Sequence, residues 1–400
     1  MRIAGIIAEY DPFHKGHEAH IQATRAENGG GATHVVSIIS GNFTQRGEPA
    51  LISKFSRAEM ALRAGADLVL ELPLPWAMAP AEHFAAGGVA ILQALGCVEM
   101  LSFGSECGDV EALKQLATLP QHPRYKETLK SVMADGIPYA AAGQKTAEIL
   151  LGNEGAAPLA QPNNTLAIEY IRAAEVQQAN FAYFTLQRQG ALHNETAPNQ
   201  GFAAASYIRN CVREGVAEDA YPYLPDTTVA ILSDLIKCGN VANRTSNLEM
   251  ALLAALRKMS TEDFARLPWV SEGLENRLSA LCRTATDYPQ LIADCKTRRY
   301  PLARLRRILW SALIGVTAAD TTGLPPYIRV LGMNGRGREI LSVASPTLPI
   351  FTRSAQLADM NPRAGRIFQL ECAATDLHGL AMDKPIPCGA DRTQKLIVLP

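Results

Sequence analysis

The chain has 400 residues, 48% of them apolar and 19% charged, with a formal net charge of -1. This composition belongs to a globular protein with room for two or three domains, and it excludes a disordered or fibrous chain. A near-zero net charge excludes a protein-wide positive field for nucleic acid, so any basic surface has to be local.

The opening stretch RIAGIIAE is short and apolar and predicts a buried strand. It runs into YDPFHKGHEAH (10–20), where His14, His17 and His20 lie three residues apart, and a helix is expected from Gly16 to about Asn28. THVVSIIS (33–40) predicts a second strand and SGNFTQRGEP (40–49) a loop. KFSRAEMALRAG (54–65) has helical spacing and a glycine stop. DLVLELP (67–73) predicts a third strand, PAEHFAAGGVAILQALG (80–96) a helix, and VEMLSFGSE (98–106) a fourth strand ending in a glycine turn. QPNNTLAIEYIRAAEV (161–176) reads as a loop entering a helix, NFAYFTLQR (180–188) as a fifth strand, and GFAAASYIRNCVREG (201–215) as a loop opening another helix. Past about residue 225 the strand signal fades. DTTVAILSDLIKCG, SNLEMALLAALRKM, EGLENRLSALCRTATDY and PLARLRRILWSALIGV are amphipathic helices, and the last fifty residues, rich in Pro and Gly, carry no assignable pattern.

Strands alternating with helices predict an α/β fold, a Rossmann-like doubly wound parallel sheet over residues 1–225, followed by a mostly α-helical domain over 226–400. Ligands of such sheets bind beyond the carboxyl ends of the strands. The histidine motif, the 40–49 loop and FGSE (103–106) all fall there. Eight scattered cysteines without a CxxC pair argue against zinc ribbons and thioredoxin-like chemistry. With no apolar run of the ~18–20 residues a membrane helix needs and no signal-peptide pattern, a cytoplasmic protein without a membrane partner is expected.

Three readings of the histidine motif stand side by side. A helix N-terminus offers unpaired N–H groups and partial positive charge, Gly16 permits close approach, and His14 and His17 can donate to phosphate oxygens, favouring the charge that builds at an attacked α-phosphorus. His17 and His20 share a helix face and could ligate zinc, but no HExxH arrangement accompanies them, and no metal is expected. The third reading is plain capping or solvation.

HKGH after a strand resembles the HxGH signature of nucleotidyltransferases and class I aminoacyl-tRNA synthetases. With SGNFTQRGEPALISKFSRAEMALRAGADLVLELP, FGSE, PNNTLAIEY and YIRVLGMNGRGREIL, the chain resembles the tRNA(Met) cytidine acetate ligase family up to about residue 341. The resemblance implies ATP-dependent acetylation of the wobble cytidine (C34) of elongator tRNA(Met), with acetate as co-substrate, acetyl-AMP as intermediate and pyrophosphate as by-product. It implies no protein partner. Magnesium would suit a triphosphate, though no acidic cluster announces it.

By the same resemblance the ATP site comprises Ile7, Ala8, Glu9, Tyr10, Asp11, Pro12, Phe13, His14, Lys15, Gly16, His17 and His20, with Gly104, an asparagine of the PNN turn (Asn163 or Asn164) and Arg188. AAASYIR (203–209) stands where related enzymes carry a Ser/Thr-rich turn for the triphosphate. Alanines replace most hydroxyls there, leaving Ser206, Arg209 and backbone N–H groups. His14 and His17 are the expected catalytic pair, stabilising the reacting phosphate, with Arg188 and Arg209 assisting.

Ser40, Gly41, Asn42, Gln45 and Arg46, with Glu48, make the 40–49 loop a substrate-facing candidate, and Lys54 and Arg57 could meet phosphate or RNA. CKTRRYPLARLRR (295–307) gathers Lys296, Arg298, Arg299, Arg304, Arg306 and Arg307 around Tyr300. Such a stretch can neutralise RNA phosphates while an aromatic stacks on an unpaired base; a helix with one basic face is the alternative. Two other functions stay open at this level: a small-molecule adenylyltransferase, and a non-catalytic RNA-binding protein on a vestigial nucleotide fold.

Overall fold

In the computed structural model, which describes residues 1–134, 139–188 and 201–400, an eight-stranded sheet organises the chain. Strands β1 (Ile3–Ala8), β2 (His34–Ser40), β3 (Leu68–Leu72), β4 (Met100–Ser105) and β5 (Ala182–Gln187) pair in parallel in the order β5-β4-β1-β2-β3. The strand order reverses at β1, which has β2 on one side and β4 on the other. A crevice therefore opens at the carboxyl end of β1. Side chains alternate between the two faces as a pleat requires. Ile3, Ile7, Val36 and Ile38 belong to one core, while Ile6, Val35 and Ile39 belong to the other.

The sheet differs from the sequence reading in one respect. Three further strands come from the far end of the chain: β6 (Ile328–Met333), β7 (Ile350–Phe351) and β8 (Ile397–Val398). Strand β6 runs antiparallel to β3, so the sheet is mixed, and β7 and β8 each pair parallel with β6. All six residues of β6 are buried, which removes the alternation that would have marked it. The first core continues from the sheet through Leu252, Leu305 and Trp310, so the helices after residue 225 share it. No helix among the described residues is long and apolar enough to cross a membrane, and all eight cysteines are unpaired.

A buried ionic knot ties the 40–54 region to the chain's end. Lys54 Nζ lies 2.6 Å from Glu71 Oε1 and 2.7 Å from Asp391 Oδ1, and Arg329 Nη1 lies 2.8 Å from Glu71 and 2.5 Å from Asp391. Glu371, on the helix Pro362–Leu380, accepts from the Leu74 N–H. Burial, then the Glu71 carboxylate, push its pKa well above the usual range. Lys54 Nζ lies 3.7 Å from Glu371 Oε2 as well, so two cations face three carboxyl groups. Lys54 and Arg57 are both fully buried, which corrects the expectation that they meet phosphate or RNA. Arg57 donates instead to the main-chain carbonyls of Glu9 (2.5 Å) and Gly41.

Candidate active site

The crevice at the end of β1 is a cavity of about 630 Å³, within the ~300–1,000 Å³ of small-molecule sites. The chain leaves β1 through Glu9 and takes a left-handed turn at Tyr10 (φ 52°). Tyr10 is pinned there by its hydroxyl, 3.2 Å from Ser37 Oγ, and by its ring, 4.8 Å from those of Phe13 and His17. Asp11 Oδ1 accepts the Leu51 N–H at 2.8 Å.

The helix Lys15–Arg25 then begins with a histidine as its N-cap. His14 Nδ1 accepts the Gly16 N–H at 3.1 Å, and His17 Nδ1 accepts the His14 N–H at 3.3 Å. A Cβ on residue 16 would lie 2.9 Å from His14 Cε1, so glycine is what lets the ring fold back onto the helix start. The two rings stack at 3.6 Å. Burial, then Arg188 and Arg209, bring the His14 pKa down to about 3. Burial, then His14 itself, holds His17 well below its ordinary value. Both imidazoles are therefore neutral at physiological pH. Since each Nδ1 is an acceptor, each carries its proton on Nε2. Neither Nε2 has a protein partner among the described residues, so two N–H donors are left for a ligand in the cavity.

His20 differs. Its Nε2 lies 2.9 Å from Ser102 Oγ, which lies 2.7 Å from Thr24 Oγ1, and Thr24 gives its proton to the His20 carbonyl. Ser102 must then donate to Thr24 and accept from His20. The His20 proton is thus committed to β4, although its ring lines the cavity. The remaining residues of the first segment divide in the same way. Ile7, Ala8, Glu9, Tyr10, Asp11 and Gly16 line the cavity. Pro12 and Phe13 are buried elsewhere, and Lys15 reaches away to the Pro222 carbonyl at 2.7 Å.

One wall comes from β4, β5 and the helix Pro162–Val176: Gly104, Asn163 and Arg188 line it, with Arg188 Nη1 3.4 Å from Asn163 Oδ1. Asn164 is fully buried, and its Oδ1 accepts the N–H groups of Glu106 (2.8 Å) and Cys107 (3.2 Å). Ser206 and Arg209 line the cavity from the helix Ala205–Arg213, whose N-cap, Ala204, makes no side-chain hydrogen bond. Arg209 Nη1 holds the Asp11 carbonyl at 2.7 Å. Phe84, Phe103, Leu166 and Tyr170 add an apolar wall that sequence reasoning missed. The four-residue spacing of Leu166 and Tyr170 on a helix leaving the PNN turn was the available signal.

The opposite wall is the loop after β2. Gln45, Arg46 and Glu48 line the cavity. Ser40, Gly41 and Asn42 do not: Ser40 is fully buried, two carboxylates crowd Gly41, and Asn42 bonds Thr375 Oγ1 at 3.0 Å and the Lys54 N–H at 2.7 Å. Gly47 (φ 70°) lets the helix Leu302–Ile314 press on the loop, since a Cβ there would lie 2.5 Å from the Arg307 nitrogen. Arg306 pairs with Glu48 and Arg307 donates to the Gln45 carbonyl at 3.0 Å. Further along, Lys296 and Arg298 are exposed. Arg299 is exposed beside Glu272 at 3.1 Å, and Arg304 lies 3.7 Å from the same carboxylate. Tyr300 is buried, with its hydroxyl on the Glu272 carbonyl at 3.0 Å, so the expectation that it stacks on a base is corrected.

No group of three His, Cys, Asp or Glu side chains converges as metal ligands among the described residues. A family model described as HIGH nucleotidyl transferase matches residues 1–391. The tRNA(Met) cytidine acetate ligase of Acetivibrio thermocellus is 35% identical over 100% of both chains. That of Caldanaerobacter subterraneus subsp. tengcongensis is 36% identical over 95% of this chain and 96% of its own. Among solved structures, apo Thermotoga maritima TmcAL matches with a TM-score of 0.93 at 32% identity, and TmcAL bound with alpha-thio ATP with 0.90 at 31%, each over 100% of both chains.

Proposed function

The chain belongs to the HIGH nucleotidyl transferases and, within them, to the tRNA(Met) cytidine acetate ligases, and from that premise we propose that it acetylates N4 of the wobble cytidine of elongator tRNA(Met) at the expense of ATP. The observation that carries this reading is the pair of neutral imidazoles, each offering an Nε2–H to the cavity at a helix N-terminus. In the first step an acetate oxygen attacks the α-phosphorus of ATP, forming acetyl-AMP and releasing pyrophosphate. Acetate supplies the nucleophile, so the protein has to position the reactants and stabilise charge. His14 and His17 donate to the reacting phosphate, and Arg188, Arg209, Ser206 and the uncapped N–H groups of the Ala205–Arg213 helix hold the outer phosphates. In the second step the cytidine N4 attacks the acetyl carbonyl and AMP leaves.

Magnesium, if required, is brought by the triphosphate. No ligand cluster for it converges among the described residues, and no step here runs through it. The tRNA approaches over the loop after β2 and the exposed Lys296, Arg298 and Arg299, with Arg306 beside the mouth. An unpaired anticodon base can be splayed into the cavity from there.

Incubation with ATP, isotope-labelled acetate and unmodified elongator tRNA(Met), followed by digestion and mass spectrometry, tests the reading. Labelled N4-acetylcytidine at the wobble position is the expected product; pyrophosphate release without it would point to a small-molecule acceptor. The two asparagines should separate. Asn163→Ala weakens ATP binding by about tenfold, the cost of roughly one charge-assisted hydrogen bond, with little change in stability. Asn164→Ala strips the part-buried N–H groups of Glu106 and Cys107 of their acceptor and lowers stability by about 1–3 kcal/mol. Calorimetric ATP titration and urea denaturation of both variants check this.

A further inference from the structure

Resting on the acetyl-transfer reading above, we propose that Glu9 accepts the proton that the cytidine N4 amine must lose during acetyl transfer. The second half-reaction needs such a base, and the neutral histidines present N–H donors, not lone pairs, to the cavity. Glu9 is the first residue beyond β1, at the strand where the sheet order reverses. Gly104, Asn163 and Arg188 form the wall on the β4 side, while the Gln45–Glu48 loop forms the wall on the β2 side. The Glu9 carboxylate is turned toward the second: Oε1 accepts the Gln45 N–H at 2.6 Å. Its backbone is held by buried Arg57 on its carbonyl and by the left-handed turn at Tyr10 that follows. Oε2 has no hydrogen-bond partner among the described residues. One oxygen is anchored and the other is free on the acceptor side of the cavity.

A carboxylate oxygen also matches the acceptor chemically. Cytosine presents its N4 amine as a donor, which carboxylates accept, whereas uracil presents an acceptor oxygen at the same place. The step balances. The N4 lone pair forms the bond to the acetyl carbonyl carbon, the bond from that carbon to the phosphate oxygen breaks, and AMP leaves with the electron pair. The N4 proton passes to Glu9 Oε2 and from there to solvent. Burial raises the Glu9 pKa and Asp11 adds to it, while the Gln45 N–H, Arg209 and Arg46 oppose; Arg57 and Tyr170 also face the group. A carboxylate so raised is a stronger base than an exposed one.

The test separates the half-reactions: acetate-dependent exchange of labelled pyrophosphate into ATP, and transfer from supplied acetyl-AMP to unmodified elongator tRNA(Met). With Glu9→Gln, transfer should fall by about 10²–10⁴ while exchange falls by no more than about tenfold. Wild-type transfer should slow as pH falls through a carboxyl pKa above the ordinary range, and that dependence should vanish in Glu9→Gln. Glu9→Asp should recover part of the transfer, and it carries the test by its own transfer-to-exchange ratio and pH profile if the glutamine variant does not fold. Wild-type transfer in Glu9→Gln, or a parallel loss of both half-reactions, would overturn the proposal. A wild type that neither exchanges nor transfers would overturn the ligase reading itself.

Discussion

Replacing His17 by alanine should lower the rate of acetyl-AMP formation by about 10²–10³, the effect of losing one donor aimed at developing negative charge. The geometry makes the loss specific. His17 Nδ1 is consumed by the His14 N–H, so the group that matters is its Nε2–H, and the same holds for His14 through Gly16. His17→Asn, which keeps a donor on a shorter arm, should recover part of the rate. His14→Ala should cost a similar factor and also release the Gly16 N–H. Acetate-dependent pyrophosphate exchange measures all three, and a rate within twofold of wild type in His17→Ala would remove the imidazole from the mechanism. Because His14 protonates only near 3, exchange should not decline as pH falls from 8 to 5 on its account. Stability should decline. His14 at about 3, and His20 and His378 at about 4, stay neutral in the folded chain while the unfolded chain takes up protons from about 6.5 downward. The unfolded state then binds more protons, so stability falls as pH drops from about 6.5 toward 4.

How much of this was legible in the sequence depended on whether a residue's partners lie close along the chain. Strands β1 to β5 could be read because each is a short aliphatic run between turn signals, and their alternation with helices placed the cavity at the His14–His17 turn. Strand β6 could not, because burial on both faces erased its period and its antiparallel partner lies more than 250 residues away. Asn163 and Asn164 were indistinguishable because adjacent residues on a helix differ only by ~100° of rotation, and nothing local says which side faces the cavity. Lys54 and Arg57 were misread for the same reason. A lysine and an arginine opening an amphipathic helix look solvated until Glu71, Arg329 and Asp391 are brought to one place. The basic stretch divided along similar lines: Arg306 and Arg307 are spent on the loop after β2, and Arg304 on Glu272, while Lys296 and Arg298, before the helix begins, stay exposed.

That hidden knot carries the largest expected stability effect. Lys54→Met leaves the methylene stem's volume in place and removes one of the two cations facing Glu71 and Asp391. Breaking a buried ion pair from one side costs about 3–5 kcal/mol, because the remaining charge stays desolvated without its partner. An exposed pair supplies the contrast. Lys237 and Asp234 lie 3.5 Å apart with three-quarters of each side chain in solvent, and Lys237→Met should change stability by less than ~1 kcal/mol. The damage at Lys54 should also reach the cavity. Asn42 accepts the Lys54 N–H and donates to Thr375, which in turn bonds Asp391, so the segment leading into Gln45 and Glu48 is braced by the same knot. Urea denaturation, together with the KM for acetate and for tRNA, reads both consequences. A Lys54→Met protein with an unshifted midpoint would mean that Glu71 or Asp391 takes up a proton in place of the lost cation. In that case the midpoint would fall more steeply with rising pH than it does in the wild type, since one further protonated carboxyl would be forced to ionise.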